Sequence, residues 1–322
     1  MQGIGLLAEI QNDLAVVDRE LYKCVGSPNP LLTETSTHLL QAGGKRLRPA
    51  FVLLAGRLCQ HSLERLLPLA MALEMIHMAS LVHDDVIDAS LTRRGVATVK
   101  AQWGNRVSIH TGDYLFAKSL ALVSQYNNPR IIKILADVSV EMCEGEIQQI
   151  ATAFDTRQSV RDYLLRIKRK TALLISTSCQ LGAMVSGAPE RVIWALTRYG
   201  HYLGMAFQIT DDILDLTADE KTLGKPVGSD IRQGIITLPI IRALRTSSDR
   251  RQLERLVAKV KKTNQDVEDI IELVIAAGGV DYSFAVTQAY LAKAKAELEH
   301  LPAVPTRQTL AELADFINIR KF

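Results

Sequence analysis

The stretch from Ser80 to Gly95 reads SLVHDDVIDASLTRRG and carries three carboxylates, Asp84, Asp85 and Asp88, at the end of an apolar run. An α-helix turns once in about 3.6 residues, so Asp84 and Asp88 share one face and Asp85 flanks them. Like charges at this spacing destabilise a helix unless a cation lies between them. Carboxylate oxygens, without Cys or clustered His, suit Mg²⁺, which binds one or two carboxylates together with substrate phosphates. We therefore expect a magnesium site at the end of this helix.

The same arrangement occurs a second time, at residues 207–216. These residues read FQITDDILDL, again an apolar helical run, and they contain Asp211, Asp212 and Asp215. Two such motifs, each closing an apolar helix, are harder to attribute to chance than one. The competing interpretation is a pair of solvated acidic helix ends. We interpret the two triads as parts of one metal-binding active site.

The composition favours a helical protein without a nucleic-acid partner. The chain has 322 residues, of which 48% are hydrophobic and only 5% aromatic, and Leu, Ile and Ala favour helix over strand. The net charge is only +3, and no Lys/Arg block of the nucleic-acid-binding type occurs. The four cysteines are far apart and form no CxxC pair, as in a reduced cytosolic protein.

The N-terminal residues lack the basic and long apolar regions of a signal peptide. The longest apolar stretch, Thr171 to Gly187, is interrupted by Ser, Thr, Cys and Gln, so we predict no transmembrane helix and a cytoplasmic location.

Apolar periodicity and turn residues predict an all-α protein. Helices are expected at 4–22, 31–41, 63–88, 107–126, 129–153, 158–186 and 189–216, followed by three or four more beyond a loop at 221–234. No strand-type alternation persists, and neither a linker nor a tandem repeat is present. We predict one domain over residues 1–322, a single large helical bundle.

Cationic residues stand beside helix ends and glycine turns. Arg offers a planar fork that matches diphosphate oxygens, and Lys offers a point charge. Each of these residues alone is more often a solvated surface charge, but together they indicate two anion sites flanking one metal cluster. They are Lys45, Arg46 and Arg48 in GGKRLRP, Arg93 and Arg94, Lys170 with Thr171, and Lys225.

Two Glu-x-x-His pairs, Glu74 with His77 and Glu297 with His300, match the spacing found in di-iron bundles. That interpretation also needs a glutamate on each of two further helices, and it leaves both aspartate triads unexplained. His77 lies two turns before Asp84 on the same face. It either faces the same cavity or is a hydrogen-bonded core histidine, and the sequence leaves both open.

Taken in order, GGKRLRP, HDDVIDASLTRRG, GDYLFA, RKTALL, FQITDDILD and LGKPVGSD resemble the trans-isoprenyl (polyprenyl) diphosphate synthases, from about Leu31 to Leu238. Within that family, the segments EMIHMASLVHDDVID, HTGDYLFAKSL, EGEIQQI and RKTALLISTSCQLGA are similar to the heptaprenyl diphosphate synthase component II branch. The resemblance implies a bundle around a central cavity. It also implies Mg²⁺-dependent, head-to-tail condensation of isopentenyl diphosphate onto an allylic diphosphate such as farnesyl diphosphate.

The resemblance also implies roles for individual residues. Mg²⁺ would be bound by Asp84, Asp88, Asp211 and Asp215, with Asp85 and Asp212 in support. Isopentenyl diphosphate would be held by Lys45, Arg48, His77 and Arg94. The allylic diphosphate would be held by Arg93, Lys170, Thr171, Gln208 and Lys225.

The small residues Ala79 and Ser80 lie one turn before Asp84, on or beside the wall that the growing chain must pass. Members of the family that stop early carry aromatic residues there, so we expect a long product, seven isoprene units for a menaquinone side chain. The partner implied is a small regulatory subunit, component I, in a heterodimer.

Three alternatives stay open. The first is a homodimeric octaprenyl or solanesyl diphosphate synthase, which needs no second subunit. The second is a non-catalytic subunit of such an enzyme, although a scaffold has no use for six aspartates facing one cavity. The third is a terpene cyclase, which has no need of the GGKRLRP site for a second diphosphate. Transient contact with a membrane during product release also stays open.

Overall fold

The computed structural model describes residues 5–59, 62–218 and 227–319, and within them the protein is almost entirely helical, which confirms the predicted all-α class. A short 3₁₀ segment, Gly5–Ile10, precedes α1. The first nine helices are α1 (Gln11–Cys24), α2 (Pro30–Gln41), α3 (Leu47–Arg57), α4 (Leu63–Ile87), α5 (Val99–Val123), α6 (Pro129–Ala151), α7 (Val160–Ile167), α8 (Leu173–Val185) and α9 (Glu190–Thr217). The remaining helices are α10 (Ser229–Gln233), α11 (Leu238–Thr246), α12 (Arg250–Ala258), α13 (Asn264–Ala276), α14 (Gly279–Leu298) and α15 (Pro305–Ile319).

Three predicted helices differ from those observed. The helix expected at 4–22 is divided into the 3₁₀ segment Gly5–Ile10, with non-helical backbone angles at Leu7, and α1, which begins at Gln11. The helix expected at 107–126 begins earlier, at Val99, and continues through a break at Gly104, whose φ is +80°. The helix expected at 158–186 is divided by a π-helical turn, Lys168–Ala172, between α7 and α8. The pattern did not reveal the π-turn because the helix that follows it, α8, is buried on nearly all sides and so has no single apolar face whose direction could be seen to change.

Between α4 and α5 lies a small antiparallel hairpin. Its strands, β1 (Thr92–Arg93) and β2 (Val96–Ala97), pair Arg93 with Val96. The two turn residues, Arg94 and Gly95, both have positive φ, as the type I′ turn of a two-residue hairpin requires.

The described residues form two compact units, and the chain passes between them several times. Unit 1 contains the residues up to Ala136, Leu174–Arg198 and Glu297–Glu312. Unit 2 contains Asp137–Leu173, Tyr199–Ala296 and the residues from Leu313 onward. Because each unit is assembled from separate chain segments, no linker appears in the sequence. The prediction of one polyprenyl synthase domain over residues 1–322 stays a prediction.

Helices α3 and α4 form the centre of unit 1 and are apolar on nearly all sides. In α3 every residue from Pro49 to Gly56 is buried. Helix α4 continues through Pro68, near its start, although a proline there removes one helical hydrogen bond and crowds the carbonyl four residues earlier. A helix that is hydrophobic all round must be covered by its neighbours. This packing fixes the end of α4, where the first aspartate triad lies.

By length and composition alone, α4 could cross a membrane, but 67% of its apolar window is buried within the protein, as in the core helix of a globular fold. Helices α13 and α14 pass the same test only as a pair, and they are bent by 63° at the break between them.

The core of unit 2 is built from the apolar faces of its helices. Its buried residues include Tyr163 and Ile167 of α7, Ile209 and Ile213 of α9, and Ile240 of α11. The second aspartate triad lies in the last turns of the same helix, α9, where its residues alternate with the core residues Ile213 and Leu216. Each triad is therefore held at the end of a well-packed helix.

Candidate active site

In unit 1, the first triad occupies the last turn of α4. Asp84 and Asp88 are half-buried, whereas Asp85 is only 1% exposed. Arg93 donates to Oδ1 of Asp85 from Nε at 2.9 Å and from Nη2 at 2.7 Å. A charge-assisted pair of this kind compensates for the burial of the carboxylate. The middle aspartate is thus turned inward onto the hairpin, and Asp84 and Asp88 are the outer members of the triad.

Arg94, the next residue of the hairpin, lies against the glycine loop that precedes α3. A Cβ atom on Gly44 would be 2.6 Å from Nη1 of Arg94, so only glycine allows this approach. Burial lowers the pKa of the Arg94 guanidinium; the charge of Glu74 acts in the opposite direction, and those of Arg93 and Arg46 lower it further. An arginine stays charged even so, because its ordinary pKa is very high.

Arg46 anchors the same loop from inside. It has a left-handed backbone (φ +48°) and a buried side chain. Nε donates to Oδ1 of Asp18 at 2.6 Å, and Nη1 donates to Oε1 of Glu74 at 3.1 Å. Arg46 thus fixes the loop to the core of unit 1. On either side of it, Lys45 is exposed to solvent and Arg48 is half-buried.

His77 of α4 lies close to these arginines. The sequence left open whether it faces the active-site cavity or is a hydrogen-bonded core histidine. Desolvation lowers its pKa well below the ordinary value, and the charges of Arg48, Arg94, Arg93 and Arg46 lower it further. The imidazole is therefore neutral at pH 7. Unit 1 thus brings Arg48, Arg93 and Arg94 close to a neutral histidine, an arrangement that suits a polyanionic ligand.

In unit 2, the second triad lies in the last two turns of α9, where Asp211 is half-buried and the other two are buried. Asp212 accepts hydrogen bonds from Tyr163 Oη at 2.7 Å and from Gln208 Nε2 at 2.8 Å. Burial raises the pKa of Asp212 to about 7, and the charge of Asp230 adds to this, while the two hydrogen bonds act in the opposite direction. As in the first triad, the middle aspartate is turned inward.

Asp215 is connected to the segment that begins α10. Its Oδ2 accepts a hydrogen bond from the backbone N–H of Asp230 at 3.1 Å, and its backbone carbonyl accepts one from Gly228 at 2.8 Å. This contact ties the end of α9 to the start of the next helix.

The π-turn between α7 and α8 carries Lys170 and Thr171. Thr171 Oγ1 donates to Gln208 Oε1 at 2.5 Å, and Lys170 Nζ lies 3.0 Å from Oε1 of Glu146. The turn packs tightly on α9, because a Cβ on Gly204 would be 2.5 Å from Cα of Ala172. A diphosphate bound by Lys170 would share or replace its pairing with Glu146.

One predicted site residue lies outside the described ranges, and the glutamates of the two Glu-x-x-His pairs form ion pairs. Lys225 belongs to the residues that the structure does not describe. Both Glu-x-x-His glutamates are paired with arginine: Glu74 with Arg46, and Glu297 with Arg198 at 2.9 Å. These contacts give the di-iron interpretation no support.

Three residues near the second triad were missed as site residues by the sequence analysis. Tyr163 and Arg166 are buried beside it, and Glu146 pairs with Lys170. Tyr163 lies two helical turns before Lys170, a spacing that could have drawn attention to it. No motif marks it, because its partner is distant in sequence.

The donor set fits magnesium. Both triads offer only carboxylate oxygens, which hard cations such as Mg²⁺ prefer. Among the residues that the structure describes, no three His, Cys, Asp or Glu side chains converge into a closed metal site. Open carboxylate pairs are typical of a metal that completes its coordination with water and substrate phosphate.

Comparison with known proteins gives consistent matches over nearly the whole chain. A family model described as polyprenyl synthetase matches residues 29–274. Heptaprenyl diphosphate synthase component 2 of Bacillus subtilis (strain 168) is 48% identical over 313 residues, which is 97% of this chain and 89% of that protein. The component 2 of Geobacillus stearothermophilus is 49% identical over 314 residues, 97% of each chain.

A solved structure agrees with these relatives. The crystal structure of a polyprenyl synthase from Caulobacter crescentus CB15, complexed with calcium and isoprenyl diphosphate, matches with a TM-score of 0.94 at 37% identity, covering 98% of this chain and 97% of that one. The family match, the near-half identity to two relatives and the shared fold together show that the chain belongs to the polyprenyl synthetase family and is a trans-prenyl diphosphate synthase.

Proposed function

We propose that this enzyme is a magnesium-dependent, long-chain synthase that makes heptaprenyl diphosphate, for a menaquinone side chain. It extends an allylic primer such as farnesyl diphosphate by repeated head-to-tail addition of isopentenyl diphosphate. The observation that carries the proposal is the near-half identity, over 97% of the chain, to two heptaprenyl diphosphate synthase components. The geometry of the two aspartate triads supports it.

Asp84, Asp88, Asp211 and Asp215 would hold Mg²⁺. When bound, the metal supplies positive charge that stabilises the departing diphosphate. The inward contacts of Asp85 and Asp212 support this division of roles, because each is already engaged by neighbouring side chains.

The cationic residues divide into two groups. Lys45, Arg48, His77 and Arg94 would bind isopentenyl diphosphate, supported by the contact of Arg94 with the glycine loop. Arg93, Lys170, Thr171, Gln208 and Lys225 would bind the allylic diphosphate, supported for unit 2 by the Thr171–Gln208 hydrogen bond.

The proposed reaction needs no protein side chain as a base. Ionisation of the allylic C–O bond leaves an allylic cation, which must be kept from water by apolar walls. The double bond of isopentenyl diphosphate attacks this cation to form the new C–C bond. The released diphosphate then takes the proton whose loss restores a double bond. No proton transfer is left for His77, and its role in this scheme is to bind the diphosphate of isopentenyl diphosphate.

The partner would be a small regulatory subunit of the component I type. Four exposed residues, Val140, Cys143, Ile147 and Ile150, follow one another along a single face of α6 at spacings of three and four. Contiguous apolar residues of this kind mark interaction surfaces. The enzyme would be cytoplasmic, with transient membrane contact to release its apolar product.

The test is to incubate the purified chain with Mg²⁺, farnesyl diphosphate and labelled isopentenyl diphosphate, alone and with the small subunit, and to size the dephosphorylated products. We expect a seven-unit product only when the small subunit is present. A discrete long product from the chain alone would instead establish a homodimeric octaprenyl or solanesyl synthase. No product under either condition would contradict the proposal.

A further inference from the structure

The carboxylate of Asp212, the middle residue of the second triad, is held by two neighbouring side chains. It is 4% exposed, and each of its oxygens accepts a bond from an uncharged donor. Tyr163 Oη donates to Oδ2 at 2.7 Å, and Gln208 Nε2 donates to Oδ1 at 2.8 Å. Removing a donor from a buried carboxylate is costly, and two donors on separate oxygens also fix its rotation. The orientation of Asp212 therefore depends on both neighbours.

The hydrogen bonds continue beyond Asp212. Gln208 Oε1 accepts from Thr171 Oγ1 at 2.5 Å, so Tyr163, Asp212, Gln208 and Thr171 form one connected chain. It joins α7, the π-turn and α9. Buried networks in which every member is satisfied act as a unit, and a change at one end is felt at the other.

Tyr163, at one end of this chain, is itself fixed. Its side chain is fully buried, and the guanidinium of Arg166 lies 5.5 Å from the centre of its ring. Arg166 is held in turn by Gln158 Oε1 at 2.7 Å and by the carbonyl of Ile236 at 2.6 Å. The hydroxyl therefore approaches Asp212 from one defined direction.

We propose that Tyr163 is a positioning residue for the second aspartate motif. Its hydroxyl turns Asp212 inward, and this fixes the last turns of α9 so that Asp211 and Asp215 face the metal and the diphosphate. The inference deepens the proposed function and rests on it. Tyr163 touches no reacting atom in this scheme, so its effect passes through Asp212.

The test uses Tyr163→Phe, which removes the hydroxyl and keeps the ring. Binding of an unreactive allylic diphosphate analogue, farnesyl thiodiphosphate, is measured by calorimetry over a range of Mg²⁺ concentrations. We expect the Kd of the analogue, or the Mg²⁺ concentration that half-saturates binding, to rise about tenfold, as for loss of one bond to a charged group. The KM for isopentenyl diphosphate should change less than twofold.

Tyr126→Phe is the matched control, because Tyr126 also loses a hydroxyl that donates to the Arg65 carbonyl and accepts from Leu69 N–H. It should bind the analogue as the parent does. Equal binding by the parent and Tyr163→Phe, or equal weakening in both variants, would overturn the inference. Failure of the parent chain itself to bind the analogue with Mg²⁺ would instead refute the proposed function.

A double variant tests whether Tyr163 affects binding through Asp212. If Tyr163 acts through Asp212, then Tyr163→Phe combined with Asp212→Asn should bind no more weakly than Asp212→Asn alone. Multiplication of the two separate losses would show that Tyr163 acts elsewhere, and the inference would be wrong.

Discussion

Gly43 and Gly44 are adjacent, yet the protein needs glycine at the two positions for different reasons. Gly43 has a φ of +76°, and a Cβ there would have nothing within 4 Å. Its requirement is conformational. Gly44 has an ordinary backbone, but a Cβ there would lie 2.6 Å from Nη1 of Arg94. Its requirement is space for that guanidinium.

Gly44→Ala should therefore act on Arg94 without straining the backbone. The end of a flexible side chain can move, so we expect folding to persist and the guanidinium to be displaced. The KM for isopentenyl diphosphate should rise about tenfold, the loss expected when one charge-assisted bond is weakened. The KM for the allylic diphosphate should be nearly unchanged, and steady-state kinetics with each substrate varied in turn measures both. Equal increases in the two KM values would contradict this role for Arg94.

Ser80 offers a second prediction for a single residue. It is half-buried one turn before Asp84, and its hydroxyl donates to the carbonyl of His77 at 2.8 Å. Ser80→Phe should obstruct the growing chain and shorten the product, and Ala79→Phe, one residue earlier, should do the same. Sizing of the dephosphorylated products measures the effect. Products of unchanged length from both variants would refute the role of this helical turn in setting length.

At the scale of elements, the close contact between α9 and the π-turn depends on Gly204. Alanine would normally stabilise a helix relative to glycine by about 1 kcal/mol. Here a Cβ would meet Cα of Ala172 at 2.5 Å, and overpacking of this kind costs about 1–3 kcal/mol. We expect Gly204→Ala to lower the Tm and to weaken allylic diphosphate binding, because Thr171 would move away from Gln208. A higher Tm would show that the two elements can separate without cost.

The cap of α13 gives a prediction about pH. Asp266 Oδ1 accepts from Lys259 Nζ at 2.6 Å, and Oδ2 accepts from the backbone N–H of Thr263 at 2.9 Å. These bonds, that of Lys259 foremost, lower the pKa of Asp266 to about 2 from an ordinary 3.8. A carboxylate with a lowered pKa stabilises the fold above the pKa of the unfolded chain, and this contribution is lost as the pH falls through the folded value.

Asp266→Asn should therefore lower the free energy of unfolding at pH 7, and its difference from the parent should narrow as the pH falls from about 4 toward 2. Urea unfolding at several pH values measures this. Lys259→Met removes the partner that lowers the pKa of Asp266 most. In this variant the free energy of unfolding should therefore depend less on pH between about 4 and 2 than in the parent. A difference that stays constant with pH would contradict the assigned cause.

At the scale of the whole molecule, the sequence predicted the class of the fold, both triads and the cationic loop, because local spacing encodes them. It could not reveal that Asp85 and Asp212 are turned inward, since Arg93 and Tyr163 reach them through tertiary contacts. The sequence could not reveal the π-turn either. One extra residue rotates the helix that follows, but α8 is buried on nearly all sides, so no apolar face marks the change.

The exposed face of α6 bears on how the molecule associates. On this face, Val140 is 59% exposed, Ile147 67% and Ile150 50%. Contact of so much contiguous aliphatic surface with water is unfavourable, and covering it with a partner would stabilise the protein. If the regulatory subunit or a second copy covers this face, a buried charge there should prevent association. Ile147→Glu should then leave the monomer folded, and the molar mass by light scattering should fall to that of a single chain.

The matched control is Ile275→Glu, the same change at a 50% exposed isoleucine of α13. Both variants lose one exposed aliphatic side chain and gain one charge, so non-specific effects on solubility should be equal. We expect association with the small subunit, or with a second copy, to be lost only in Ile147→Glu, and long-chain synthesis to be lost with it. If Ile147→Glu associates as the parent does, the partner must bind another surface, because an unpaired glutamate at the centre of an apolar interface cannot be accommodated without a large loss of affinity.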